Sequence, residues 1–107
     1  MTITASTRKG VCKLRIEGEM TIYQAGEIKR KFVSVLADCR EIELDLAHVS
    51  DLDSAGLQLL CLLKREATAL GKPLRIAAHS PAVIDVIERF NLAAYFGDPI
   101  LLSARAA

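Results

Sequence analysis

One junction constrains this chain more than any other. From Glu41 the residues alternate, with Ile42, Leu44 and Leu46 opposed to Glu41, Glu43 and Asp45. Period two with one polar face describes a strand covered on one side only. After Val49-Ser50-Asp51-Leu52 the pattern changes. Asp53-Ser54-Ala55-Gly56-Leu57 opens a leucine-rich stretch of helical spacing that runs to Leu70, where Gly71 and Pro73 stop it. A half-covered strand that feeds an amphipathic helix is a unit of α/β or α+β architecture. Ser54 stands at the change of period, exposed at a helix N-terminus, where unpaired backbone N–H groups and the helix dipole favour negative charge. A serine placed there accepts a phosphate without breaking the fold beneath it. That points to a protein that is switched rather than one that performs chemistry.

Other segments fit the same architecture. Val11 to Glu17 alternate, with Cys12, Leu14 and Ile16 on one side and Lys13, Arg15 and Glu17 on the other. If this strand neighbours the first, Lys13 and Arg15 face the acidic row of Glu41, Glu43 and Asp45. Leu74 to Ala78 is a third strand, and Thr2 to Ala5 and Ile100 to Leu102 are weaker candidates. Thr21-Ile22-Tyr23-Gln24 has capping-box spacing, and Ala25, Ile28, Phe32, Val35 and Leu36 form one apolar stripe behind it. A third helix opens with Ser80 as cap and Pro81 in its first turn. Val83, Ile84, Val86 and Ile87 form its apolar side, and Asn91 suits the left-handed closing position. The expected fold is a sheet with helices stacked on one face.

Composition narrows the function. The 107 residues show no linker or composition break, so a single domain over 1–107 is expected. Fourteen Lys and Arg against 13 Asp and Glu leave a net charge of +1, with no basic stripe for nucleic acid. Two Tyr and three Phe offer little for stacking bases. The most apolar stretch, Leu57 to Leu63, contains Gln58 and is too short to span a bilayer, and Met1-Thr2-Ile3-Thr4 does not open a signal peptide. A cytoplasmic protein without membrane insertion is expected. Cys12, Cys39 and Cys61 are odd in number and widely spaced, which describes free thiols, with Cys12 packed in a strand. With His48 and His79 they supply no metal-ligand spacing. No glycine-rich phosphate loop marks a nucleotide or other cofactor site.

The second helix carries two faces. At about 100° per residue, Leu59, Leu60, Leu63, Ala67 and Leu70 gather on one side and dock it on the sheet. Ser54 projects to the other half, followed by Leu57, Gln58, Cys61 and Arg65. This mixed stripe beside a candidate switch residue reads as a protein-docking face. Leu57 on its own also suits a residue tucked under the preceding loop, and Leu62 fits neither face. Around Ser54, Asp53 competes with the serine for the cap position and Asp51 is solvated. Gly56 either lets a partner backbone approach or allows tight packing in the first turn. A hydrolase reading would need a base for Ser54; of the two histidines His79 falls near the sheet end, but it precedes a helix cap and reads as ordinary loop. The segment also lacks the Gly-x-Ser-x-Gly elbow.

Several of these features together resemble the STAS domain. They are Gly18-Glu19-Met20-Thr21 before a helix, Asp45-Leu46 in a strand, Val49, Asp53-Ser54-Ala55-Gly56-Leu57 before a leucine-rich helix ending at Gly71, Pro73-Leu74-Arg75-Ile76, and Ser80-Pro81 through Phe90-Asn91-Leu92. The resemblance implies a mixed sheet of four or five strands with three to four helices mainly on one face. For the anti-sigma factor antagonists of that family it implies a non-enzymatic partner switch. The unphosphorylated protein binds a serine kinase or anti-sigma factor, phosphorylation of the motif serine ends the complex, and a phosphatase restores it. By position, Ser54 is the acceptor, Asp51, Asp53, Ala55 and Gly56 form the switch loop, and Leu57, Gln58, Cys61 and Arg65 meet the partner. The same resemblance also allows a cytoplasmic accessory subunit docked on the ABC ATPase of a lipid transporter, or a protein working beside chemotaxis signalling.

Overall fold

The computed structural model describes residues 1–90. Strands β1 (Thr2–Arg8) and β2 (Val11–Met20) form an antiparallel hairpin, closed by Lys9 and Gly10 at φ 53° and 81°. Positive φ at both turn residues matches the right-handed twist of the flanking strands. The guanidinium of Arg40 braces this turn by donating to the Lys9 carbonyl at 2.7 Å. The chain then alternates: α1 (Ala25–Leu36), β3 (Glu41–Leu52), α2 (Ser54–Ala69), β4 (Leu74–His79) and α3 (Pro81–Arg89). β3 runs parallel to β2, and β4 parallel to β3, in a four-stranded sheet of order β1-β2-β3-β4.

Both crossovers, β2-α1-β3 and β3-α2-β4, step the same way across the sheet. Connections of one hand therefore put their helices on one face. A single core joins Leu14 and Ile16 of β2, Ile42, Leu44 and Leu46 of β3, and Ile76 of β4 to Phe32 of α1, Leu60 and Leu63 of α2, and Val83 and Ile87 of α3. The opposite sheet face is polar. There Lys13 reaches Asp45 at 4.0 Å and Arg75 reaches Glu43 at 3.0 Å, whereas Arg15 pairs with Glu17 of its own strand at 3.2 Å. Both cations face the acidic row as expected, Lys13 opposite Glu43 and Arg15 opposite Asp45 in register, but only Lys13 forms its ion pair with an acid of β3.

The elements follow the expected pattern with extensions and some corrections. β1 continues to Arg8 and β3 to Leu52, beyond the alternating segments Thr2–Ala5 and Glu41–Leu46. α2 closes as the glycine predicts: with Gly71 at φ 68°, Gly71 N–H donates to the Thr68 carbonyl and Lys72 N–H to the Ala67 carbonyl, both at 2.9 Å. This paired closure satisfies two terminal carbonyls. Leu70, expected on the docking side of α2, is the capping residue and is 61% exposed. The closure turns the chain away before Leu70 can reach the sheet. Ser80 caps α3, its hydroxyl accepting from Val83 N–H at 3.2 Å. At α1 only half of the capping box forms: the Gln24 side chain accepts from Thr21 N–H at 3.1 Å. The Thr21 hydroxyl bonds that same amide oxygen instead of a helix N–H. Asn91 and the strand candidate Ile100 to Leu102 lie outside the described residues.

Two irregularities in β3 position the functional end. Arg15 pairs with Asp45 but Glu17 with His48, and Gly18 pairs with Val49 but Glu19 with Asp51. Each step places one extra residue in β3, the signature of a β-bulge. The Asp45 carboxylate accepts from Ala47 N–H at 3.1 Å and holds the first of them. Past the bulges, Met20 and Leu52 end their strands side by side. The β2–α1 and β3–α2 loops therefore emerge together.

Candidate functional site

Asp53 organises the junction. Its backbone is extended, with φ −94° and ψ −177°, and its carboxylate accepts from Gly56 N–H at 2.8 Å. This makes Asp53 the N-cap of α2, and its carbonyl accepts the first helical bond, from Leu57 N–H at 3.0 Å. The other carboxylate oxygen accepts from Ile22 N–H at 3.2 Å. One side chain thus caps α2 and ties the β2–α1 loop to it. Of the two cap readings open in the sequence, Ser54 and Asp53, the structure has Asp53.

Ser54 is consequently the first residue of α2. It is exposed, and its hydroxyl makes no hydrogen bond among the described residues. The serine is thus spared from holding the fold. Ala55 beside it is half-buried and Asp51 is exposed.

Gly56 has an internal role. A Cβ built on it would stand 2.1 Å from the Met20 carbonyl oxygen and 2.6 Å from Leu52 Cδ1. The residue is buried. Of the two readings of this glycine, tight packing in the first turn is the one realised, and the backbone that approaches is the chain's own.

The docking stripe on α2 is partly corrected. Leu57 is 7% exposed and belongs to the buried residues, tucked under the junction rather than projecting as a free apolar group. It nevertheless forms part of an open groove of about 230 Å³, together with Gln58, Cys61, Leu62 and Arg65. Gln58 and Arg65 are exposed, and Cys61 and Leu62 half-buried. Leu62, which no face of the helix explained, thus joins the other four at the groove. Burial raises the pKa of the Cys61 thiol, so near neutral pH it is a protonated, largely apolar group rather than a nucleophile.

Sequence reasoning missed the β2–α1 loop, which Asp53 ties to the start of α2. Ile22 and Tyr23 are 65% and 90% exposed. Their signal was present, since two large apolar residues inside a capping-box tetrad have no place in the helical stripe that follows. Both histidines lie several residues back from the junction. His48 is exposed on β3, while His79 is buried at the end of β4, in register with Leu46.

With this geometry in view, the comparisons are specific. The family model described as Mlab, STAS domain, matches residues 3–102. The chain belongs to the STAS domain family. Its fold matches an anti-sigma factor antagonist from Mycobacterium paratuberculosis with a TM-score of 0.78 at 24% identity, over 94% of this chain and 84% of that one. It matches the anti-sigma factor antagonist SpoIIAA in its unphosphorylated form with a TM-score of 0.75 at 18% identity, over 97% of this chain and 90% of that one. The phosphorylated form of the Bacillus cell fate determinant SpoIIAA gives 0.72 at 17% identity, over 97% and 93%. The four-stranded mixed sheet with three helices described here is the STAS fold of these structures. Among the described residues of this STAS protein, no helix is long and apolar enough to cross a membrane.

Proposed function

We propose that this STAS protein is a non-enzymatic regulator that works by partner switching. Its unphosphorylated form binds a serine kinase or anti-sigma factor of the histidine-kinase-like ATPase type through the junction and the α2 groove. Phosphorylation of Ser54 ends the complex, and a phosphatase restores it. The observation that carries this reading is the division of labour at the junction. Asp53 holds the helix, and Ser54 beside it is exposed with an unengaged hydroxyl, one helical turn before the Leu57 and Gln58 that line an open groove.

The energetics suffice. A phosphoserine adds about −1.5 to −2 charge at pH 7. Asp51 and Asp53 already stand within three residues of it, and in a complex the phosphate must also lose its water. Like-charge juxtaposition at an interface costs on the order of several kcal/mol. About 2.7 kcal/mol already lowers affinity roughly a hundredfold.

The test is affinity capture from the native cell with wild type, Ser54→Ala and Ser54→Asp, read by mass spectrometry. Partner switching predicts a serine kinase or anti-sigma factor retained by wild type and Ser54→Ala and lost by Ser54→Asp. Phosphate should be found on Ser54 of the wild type. Recovery of an ABC ATPase and its permease with all three proteins would overturn the reading and assign a transporter subunit.

A further inference from the structure

The α2 groove is one side of the junction; the β2–α1 loop is the other. Ile22 and Tyr23 are adjacent in sequence and 65% and 90% exposed, the two most exposed large apolar side chains among the described residues. They are not a frayed end. Ile22 N–H is held by the Asp53 carboxylate at 3.2 Å, and the turn is closed by Gln24 N–H and Ala25 N–H donating to the Thr21 carbonyl at 3.0 and 3.1 Å. Two large apolar side chains on an anchored loop lose little further freedom on binding, which is what makes such residues effective anchors. Next to them, Glu19 and Asp51 occupy paired register positions at the ends of β2 and β3. Both are exposed and neither makes an ion pair among the described residues. Of the other acids of the sheet, Glu17, Glu43 and Asp45 each have a cation within 4.0 Å, and Glu41, at the opposite end of β3, has none among the described residues.

We propose that Ile22 and Tyr23, edged by Glu19 and Asp51, form the second half of the docking surface around Ser54, and that it takes a protein partner with an apolar pocket rimmed by Lys or Arg. This rests on the partner-switching reading and extends it to residues off α2. The charge pattern selects the occupant. Unpaired carboxylates favour a cationic rim, and apolar side chains between them favour a pocket that excludes water. Ser54 then adjoins two apolar contacts, the Ile22–Tyr23 loop tied to its neighbour Asp53 and the groove that begins at Leu57 one turn along the helix. A phosphate there would have to be desolvated against apolar surface, and that cost opposes any attraction to the cationic rim.

The two kinds of contact make separable predictions. Apolar anchors set dissociation, whereas rim charges set association and its salt dependence. The probe is a purified histidine-kinase-like serine kinase from the same genome, immobilised with ADP, with binding kinetics measured at about 50 and about 300 mM salt. Tyr23→Ala should raise the dissociation rate about 30-fold, as for an interface hot spot, and leave the association rate within about twofold. Glu19→Gln with Asp51→Asn should slow association several-fold at low salt and flatten its salt dependence, leaving dissociation little changed. All three residues are exposed, so unchanged thermal melting will show that the fold is not at fault. If wild type binds, Ser54→Asp does not, and the Tyr23 and Glu19/Asp51 variants bind like wild type, this inference is overturned while partner switching stands. If no such kinase binds wild type, both fall.

Discussion

At the scale of single residues, the junction gives neighbours different parts: Asp53 is held in the local fold, and Ser54 stands exposed. Asp53 makes two hydrogen bonds that hold the local fold, to Gly56 N–H and Ile22 N–H. Replacing an N-cap by alanine typically costs about 1 kcal/mol, and here a second backbone donor also loses its partner. Asp53→Ala should therefore lower stability in urea by about 2 kcal/mol. Asp53→Asn keeps one acceptor oxygen, which can serve the Gly56 N–H, but sets its NH2 against the Ile22 N–H, and should recover about half of that loss. An equal loss in both variants would mean that charge, not hydrogen bonding, holds the cap. Gly56 is constrained by space instead. The atom that a methyl group would strike, Met20 O at 2.1 Å, belongs to backbone at the end of β2 and cannot rotate away. Gly56→Ala should cost about 3 kcal/mol, at the upper end of overpacking, despite alanine's better helix propensity. Urea denaturation measures this directly, and a stabilised variant would show that α2 shifts freely on the sheet.

At the scale of elements, the sequence disclosed most of what repeats and little of what interrupts. The alternations of β2 and early β3, the stripes of α1 and α3, and the Gly71 and Ser80 caps were all legible, because each is a local pattern that local chemistry enforces. β3 was legible only to Leu46. Beyond it the two bulges change the buried positions to Leu46, Val49 and Leu52, a spacing of three that resembles no strand. The identity of Ser54 as the exposed junction residue was legible, whereas the burial of Leu57 and the partnership of Asp53 with Ile22 depend on contact between segments 31 residues apart. The end of α1 is likewise closed in part by a distant group, beside a local one. The Lys72 ammonium donates to the Leu36 carbonyl at 2.6 Å, and the Cys39 thiol donates to the Val35 carbonyl at 3.3 Å. Burial first, and then the hydrogen bond with the Cys12 thiol, push the Cys39 thiol from its ordinary 9.0 up to about 11. The folded protein therefore holds this proton more tightly than the unfolded chain. Below pH 9.0 the contribution is fully present, and it is lost as pH rises from there towards 11. Urea denaturation at pH 8, 9.5 and 11 should show stability falling across that window, more steeply in wild type than in Cys39→Ala.

At the scale of the whole molecule, the proposed switch requires that charge change at one end without unsettling the rest. The core lies wholly between one sheet face and the helices, and Ser54 contributes nothing to it. A phosphate on the first residue of α2 meets two opposed local fields. The helix N-terminus favours an anion by about 0.3–1 kcal/mol at an exposed site. The neighbouring Asp53 carboxylate, fixed on the same helix terminus, repels it by a similar amount when screened by water and salt. The two nearly cancel, so phosphorylated protein should melt within a few degrees of the unmodified form, a shift of at most about 1 kcal/mol for a domain of this size. In a complex the balance changes. The helix dipole and Asp53 are the same, but the phosphate exchanges water for the partner's surface, and that desolvation has no counterpart in the free protein. Calorimetric melting of phosphorylated and unphosphorylated protein, run beside binding to one kinase, compares the two directly. A large fall in melting temperature on phosphorylation would mean that release comes from unfolding the junction. Unchanged melting with lost binding would place the whole effect at the interface, where an exposed serine next to a fold-bearing aspartate puts it.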